Sequence, residues 1–216
     1  MTTSDLPEER LTRRRAQTRG RLLSGAREVI AEHGVHGASV EDICERAGFT
    51  RGAFYSNFSD KDELVLALFA DDRAALLARL TTVLADPPDD VVALISAVMD
   101  QLEVGDPMQW FVTRTEMTLY ALRTPGVAVA VVADRAAFRS AVVEAVGDAL
   151  ARTGRTLEMP VDVLVRTVEA LHDGATAQSL LEPAALPEGS LQRQVLPLLI
   201  GSDARRTGTP RKGNGR

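Results

Sequence analysis

Residues Ser39–Leu64, SVEDICERAGFTRGAFYSNFSDKDEL, encode two short helices joined by a tight turn, followed at once by the start of a third. Val40, Ile43 and Ala47 recur at the three-and-four spacing that lays one apolar stripe along a helix. Ser39 stands just before them with Asp42 three residues on, an N-cap with an acid beside the exposed N–H groups and the positive end of the helix dipole. Gly48 follows Ala47, where the helix must stop and the backbone turn through a left-handed conformation that glycine enters cheaply. Thr50 then caps a second helix, expected over Arg51–Phe58, with Phe54 and Phe58 four apart toward the core and Arg51, Gly52, Tyr55 and Asn57 outside. Ser59, with Asp62 three later, is expected to cap the next helix. Two helices, a three-to-four-residue turn and a polar start to the second helix match the helix-turn-helix, whose second helix enters the major groove. The plainer alternative is a helical hairpin within a bundle.

Taken with the amphipathic helix before it, this stretch resembles the DNA-binding domain of the TetR (tetracycline-repressor-like) family of bacterial transcription regulators. The matching residues are Val40, Ile43, Ala47, Gly48, Phe49, Thr50, Gly52, Phe54, Tyr55, Phe58, Lys61, Glu63 and Leu64. Cys44 departs from the family's usual alanine, and Asn57 from a frequent histidine. Cysteine is a small hydrophobe and is expected to pack there without changing the fold; Asn57 is expected to alter one phosphate contact. The resemblance puts Arg51 and Gly52 at the end of the recognition helix that meets base edges. Arg51 is the expected sequence reader, since its fork can bond guanine O6 and N7 together, and Gly52 would let the backbone approach the groove. Thr50, Tyr55, Asn57 and Lys61 carry donors suited to phosphate oxygens, as the family's matching positions imply, and Ser39 adds another. For Tyr55, half-burial with the hydroxyl in water is the competing account.

At 216 residues the chain can bury a core without staples. Few aromatics, and abundant alanine, leucine, valine, arginine and glutamate, favour an all-α protein. A single cysteine, Cys44, excludes an internal disulfide and a Cys-rich zinc site and suits a reducing cytoplasm. The opening MTTSDLPEERLTRRR has no apolar core of signal-peptide type. The longest small-apolar run, Val127–Ala133, is too short to span a membrane, so a cytoplasmic protein without a membrane partner is expected.

The net charge of −5 has the wrong sign for a DNA binder until it is divided along the chain. From Arg10 to Lys61 ten lysines and arginines face six acids, a balance of +4; from Asp62 to Ser202 ten face twenty, a balance of −10. A basic N-terminal unit can approach phosphate while an acidic body stays off it. Uneven solvated faces give the same asymmetry in many helical proteins, so charge alone does not decide.

The expected organisation is a mobile leader over residues 1–9, a helix-turn-helix domain over 10–60, a helical ligand-binding and dimerisation domain over 61–201, and a disordered tail over 202–216. Arg13, Arg14 and Arg15, with Arg19 and Arg21 close behind, open a helix that buries Leu22, Leu23, Ala26, Val29 and Ile30 and stops at Gly34. These arginines are candidates for the DNA backbone or a minor groove, against the alternative of a solvated basic helix end. A long helix from near Asp60 breaks at Pro87 and Pro88. Further helices are expected over Val91–Leu102, Met108–Leu122, Val127–Ala151, Val161–Leu181 and Ser190–Ile200, nine in all, with Pro197 kinking or shortening the last.

Catalytic and metal sites find little support. Glu169 and His172 form one E-x-x-H where a di-iron bundle needs two, and His33 and His36 flank Gly34 at a helix end, where imidazole beside the negative dipole end is the simpler account. No phosphate loop or nucleophile elbow appears, and no cofactor, metal or enzymatic activity is expected. Met99, Leu102, Trp110, Phe111, Met117, Tyr120 and Phe138, with polar neighbours, suit either a cavity or a plain helical core. By resemblance the second domain binds a small effector, with Trp110, Arg114, Met117 and Tyr120 as candidate lining. Gly174, Ala175, Ala177, Gln178 and Ser179 are candidates for close helix approach in a homodimer, or within one chain. A helix-turn-helix commonly pairs two half-sites through such a dimer. The expected function is therefore a homodimeric DNA-binding regulator, a ligand-released repressor on a palindromic operator. A ligand-blind architectural DNA protein and a helical enzyme or adaptor are the alternatives.

Overall fold

A computed structural model describes residues 7–88, 90–102, 105–157, 159–201 and 205–206. Among these residues nine helices make an all-α fold: α1 Pro7–Gly37, α2 Val40–Ala47, α3 Arg51–Tyr55, α4 Lys61–Ala85, α5 Val91–Leu102, α6 Pro107–Arg123, α7 Pro125–Thr153, α8 Val161–Leu181 and α9 Ser190–Gly201. Two two-residue strands, β1 Arg155–Thr156 and β2 Arg205–Arg206, pair antiparallel, with Arg155 opposite Arg206. No described helix is long and apolar enough to cross a membrane.

Several boundaries differ from expectation, each for a local reason. Pro7, Glu8 and Glu9, expected in the leader, form the first turn of α1, where proline's missing N–H would have had no helical partner anyway. The rest of the leader, and the expected tail apart from Arg205 and Arg206, lies outside the described residues. The recognition helix is five residues rather than eight. Ser56 Oγ donates to Gly52 O and Asn57 Nδ2 to Ala53 O, both at 2.8 Å, so side chains take carbonyls near its end. Asp60, not Ser59, caps α4: its carboxylate accepts from Glu63 N at 2.8 Å while Glu63 Oε2 reaches back to Ser59 N at 2.7 Å. Pro197 does not shorten α9, which runs through it to Gly201.

The chain divides into two compact units. The first comprises the described residues up to Asp72 with Met108–Asp134, so α6 shares a core with α1–α3. Its core joins Leu22, Leu23, Ala26, Val29 and Ile30 of α1 to Ile43, Cys44 and Ala47 of α2, Phe54 and Phe58, Leu64 and Leu68 of α4, and Met117, Tyr120 and Ala121 of α6. The second unit, Arg73–Pro107 with the residues from Arg135 onward, holds two smaller clusters. Leu80, Phe138, Val142 and Val165 form one; Ile95, Met99 and Leu196, where α9 lies against α5, form the other.

Two glycines fix the turns of the first unit. Gly48 adopts φ 72, ψ 39 as the left-handed cap of α2, its N–H returning to Cys44 O and Glu45 O. Gly34 breaks α1 at φ 70, ψ 167, a conformation almost confined to glycine, and a Cβ there would lie 2.6 Å from Glu116 Oε2. Urea unfolding should therefore show Gly48→Ala losing about 1–2 kcal/mol. Gly34→Ala should lose more, about 2–3 kcal/mol; the reverse order would mean the break at Gly34 is not held in this conformation.

Candidate nucleic-acid interface

The helix-turn-helix is built by caps. Ser39 Oγ accepts from Asp42 N at 3.1 Å and donates to Asp42 Oδ2 at 2.6 Å, while Ser39 N donates to the same carboxylate, a reciprocal capping box. These hydrogen bonds hold the Asp42 carboxyl below its usual range. Thr50 Oγ1 accepts from Ala53 N at 3.4 Å to start α3. Phe54 and Phe58, at 0% and 1% exposure, stack with ring centroids 5.5 Å apart and anchor α3 from below. Cys44 packs as the small hydrophobe expected, and burial pushes its thiol up.

Anchoring one side of α3 leaves the other open. Thr50, Arg51, Gly52, Tyr55 and Ser56 are exposed together on one short segment. The Arg51 side chain is 60% exposed and pairs through Nη1 with Glu41 Oε1 at 2.5 Å, its guanidinium 5.9 Å from the Tyr55 ring. At Gly52 an added Cβ would meet nothing nearer than Thr50 Oγ1 at 3.7 Å, so the fold itself does not demand glycine there. Asn57 and Lys61 turn inward instead. Asn57 Nδ2 is on Ala53 O, and its Oδ1 is buried with no hydrogen-bond partner among the described residues. Lys61 Nζ donates to Val35 O at 2.9 Å and Ala38 O at 3.3 Å, committing two of its three protons to the end of α1. The Ser39 hydroxyl proton is likewise held by Asp42.

The arginines of α1 divide between surface and scaffold. Arg13, Arg14 and Arg15 are exposed, and Arg15 Nη2 donates to Ser56 O at 3.3 Å. Arg19 lies over the Phe58 ring at 5.2 Å. Arg21 lies over Phe49 at 4.8 Å and donates to Ala47 O at 2.9 Å, capping the end of α2.

A family model described as bacterial regulatory proteins, tetR family, matches residues 22–68, from the buried face of α1 into α4. The HTH-type transcriptional repressor AcnR of Corynebacterium diphtheriae is 33% identical over 157 residues, covering 72% of this chain and 77% of that protein. The AcnR of Corynebacterium glutamicum is 31% identical over 82% of this chain and 94% of its own length. The chain belongs to the TetR family. Salmonella enterica GusR superposes with a TM-score of 0.67 at 23% identity, over 86% of this chain and 96% of that one. The fatty acid degradation regulator FadR from Bacillus halodurans does so with 0.68 at 17%, over 85% and 95%. At these identities the two structures establish the fold alone. As a TetR-family member the protein is a DNA-binding transcriptional regulator, and α2 and α3 are its helix-turn-helix.

Of the four residues expected to line an effector cavity, this TetR-family chain commits two to the core of its DNA-reading unit. Met117 is 1% exposed among the α1 and α4 side chains. Tyr120, 9% exposed, donates its hydroxyl to Asp62 Oδ1 and meets His36 edge-on, centroids 5.2 Å apart. Trp110 and Arg114, one turn back, are half-buried with the guanidinium 5.0 Å from the indole ring. Composition could not separate the two roles, since an apolar side chain on a helix suits a cavity wall or a core equally. The expected dimer residues divide as well: Gly174 and Gln178 are exposed on α8, while Ala175 and Ser179 are buried within their own chain. Ala170 and Leu181 join the exposed line, Leu181 at 82%. In the second unit Glu169 of the E-x-x-H lies 3.6 Å from Arg135.

Sequence reasoning missed Glu41, Glu116 and Asp62 as partners of Arg51, Val35 N and Tyr120. A carboxylate in the first turn of α2, the helix that precedes the recognition helix, is the signal available for the first; the other two arise only once α6 is placed. The bond to Asp62, with burial second, pushes the Tyr120 phenol up to about 12. Because the folded value is raised, this stabilisation is whole below the ordinary phenol value of about 10 and is lost as pH climbs through about 12. Tyr120→Phe should cost about 1–2 kcal/mol near neutral pH. It should also shrink the loss of stability above about pH 10. Denaturation at pH 7 and at pH 11 measures both; an unchanged alkaline slope would mean the bond is not formed.

Proposed function

We propose that this regulator is a repressor acting as a homodimer on a palindromic operator, α3 of each copy entering one of two successive major grooves, with release when a small effector binds the body. The carrying observation is the exposed segment Thr50–Ser56, held from beneath by Phe54 and Phe58 and capped at its start, with Arg51 and Tyr55 outermost. Arg51 reads a guanine, and Gly52 admits the groove wall. Thr50 and Tyr55 take phosphates, and Arg13, Arg14 and Arg15 add sequence-independent attraction. Asn57, Ser39 and Lys61 contribute less to phosphate because their donors are largely spent inside the unit. That both AcnR relatives carry the name repressor supports the sign of regulation.

In the same reading, residues 10–60 supply DNA contact and the remainder of the helices supply effector binding and dimerisation. Trp110 and Arg114 are the effector-lining candidates not committed to the core. The exposed line Ala170, Gly174, Gln178 and Leu181 is the dimer face, since a helix partner can approach closely over alanine and glycine. Effector binding shifts the population toward a conformer whose two recognition helices no longer match successive grooves, as its differential affinity for the two states allows. The protein would act in the cytoplasm, where its operator lies.

Fluorescence anisotropy with the DNA flanking the protein's own gene, against a scrambled duplex at low and near-physiological salt, tests the reading. Arg51→Ala should lose roughly tenfold discrimination at one base pair. Gly52→Ala should weaken operator binding although stability is unchanged or rises by up to about 1 kcal/mol. Equal, salt-sensitive binding of both duplexes by the unaltered protein would favour an architectural role instead. In sedimentation velocity Gly174→Arg should yield folded monomer; an intact dimer would move the interface elsewhere.

A further inference from the structure

Glu41 is the second residue of α2 and Arg51 the first of α3, and the turn between them brings Glu41 Oε1 to 2.5 Å from Arg51 Nη1. Neither group is buried: 56% of the Glu41 side chain and 60% of the Arg51 side chain are exposed. Glu41 is not needed for the start of its own helix, because Ser39 and Asp42 complete that cap between them. Nor does it serve the arginine of its own helix, since Arg46 is held by Glu28 and Glu32. A carboxylate thus stands at the tip of the base reader, on a surface that must approach phosphate.

An exposed pair of this kind adds little to folding. Its effect on binding is larger. A guanidinium carries five donors, so a carboxylate at Nη1 and the neighbouring Tyr55 hydroxyl together still leave donors for a bidentate bond to guanine. On a wrong sequence an unrestrained arginine swings to the nearest phosphate and gains affinity that carries no information. Glu41 opposes that swing by holding the charge and by repelling phosphate itself, and such repulsive elements are a common source of specificity.

We propose that Glu41 is a specificity-determining residue of the DNA-reading head, which orients Arg51 toward a guanine edge and denies its guanidinium to phosphate. The proposal rests on the reading of Arg51 as the base-contacting residue. Its test uses the full chain: a preferred duplex selected from a randomised pool, a scrambled duplex, and anisotropy across a salt series. The proteins compared are the unaltered chain, Glu41→Gln, Glu41→Asp, Arg51→Ala and the double variant Glu41→Gln/Arg51→Ala. Glu41→Gln should bind the scrambled duplex more tightly and lose roughly tenfold discrimination. Its salt slope should steepen by about one phosphate contact. Glu41→Asp should recover part of the discrimination, and in the Arg51→Ala background the Gln change should have no effect on it.

The proposal is overturned if Glu41→Gln leaves discrimination unchanged, if it weakens all duplexes alike with a lowered melting temperature, or if its effect on discrimination persists without Arg51. Should the unaltered protein show no preferred sequence, the reading of Arg51 falls and this role with it. Sequence preference that survives Arg51→Ala removes the reading of Arg51 and the proposal with it, whereas preference that is lost in Arg51→Ala but untouched by Glu41→Gln removes the proposal alone.

Discussion

The break in α1 at Gly34 exposes backbone groups that a continuous helix would have satisfied, and two other helices supply what they need. Lys61 of α4 donates to the carbonyls of Val35 and Ala38, and Glu116 of α6 accepts from Val35 N. Because a buried, unpaired backbone group costs about as much as a lost hydrogen bond, the turn into α2 depends on α4 and α6 being in place. Arg27 reinforces the same arrangement, its guanidinium on Asp71 and Asp72 of α4 while its carbonyl accepts from Thr113 of α6. Thr113, Glu116, Met117 and Tyr120 recur at three-and-four spacing, so a single face of α6 is fastened to the reading unit.

Charge in that unit serves two ends at once. Arg15, Arg19 and Arg21 lie in a basic run that on composition alone belongs wholly to nucleic acid. Yet Arg21 closes the end of α2, Arg15 reaches the Ser56 carbonyl, and Arg19 covers Phe58. Each still contributes to a positive field, but its freedom to follow a phosphate is reduced. The recognition helix, only five residues long, is too short to be stable from its own hydrogen bonds. Its orientation comes from Phe54 and Phe58 below and from these arginines at its edges.

What could be read from the sequence was what is local. Ser39, Asp42, Gly48 and Thr50 act within four residues of themselves, so spacing alone identified the caps and the turn. Val161–Leu181 was bounded correctly because Pro160 and Pro183 punctuate it. What spacing does not carry is the set of partners distant in the chain. Lys61, expected at phosphate, also donates to the end of α1, 26 residues back, a partner that its spacing does not reveal. Met117 and Tyr120 looked equally suited to a cavity and a core, and only the placement of α6 decides, because apolar area carries no record of which interior it will join. The choice of Ser59 over Asp60 as the α4 cap was a smaller error, between adjacent oxygens of similar reach.

The docking of α6 on the reading unit bears on how portable that unit is. A chimeric regulator cut near residue 60, at the end of the helix-turn-helix, would strip Leu64 and Leu68 of α4 and Met117, Tyr120 and Ala121 of α6 from the core they share with α1, and leave Val35 N without its Glu116 partner. A graft that carries Met108–Asp134 along keeps those surfaces covered. In this chain the transplantable module is discontinuous, and exchanging specificities between relatives becomes a matter of matching one face of α6 as well as the residues that touch DNA.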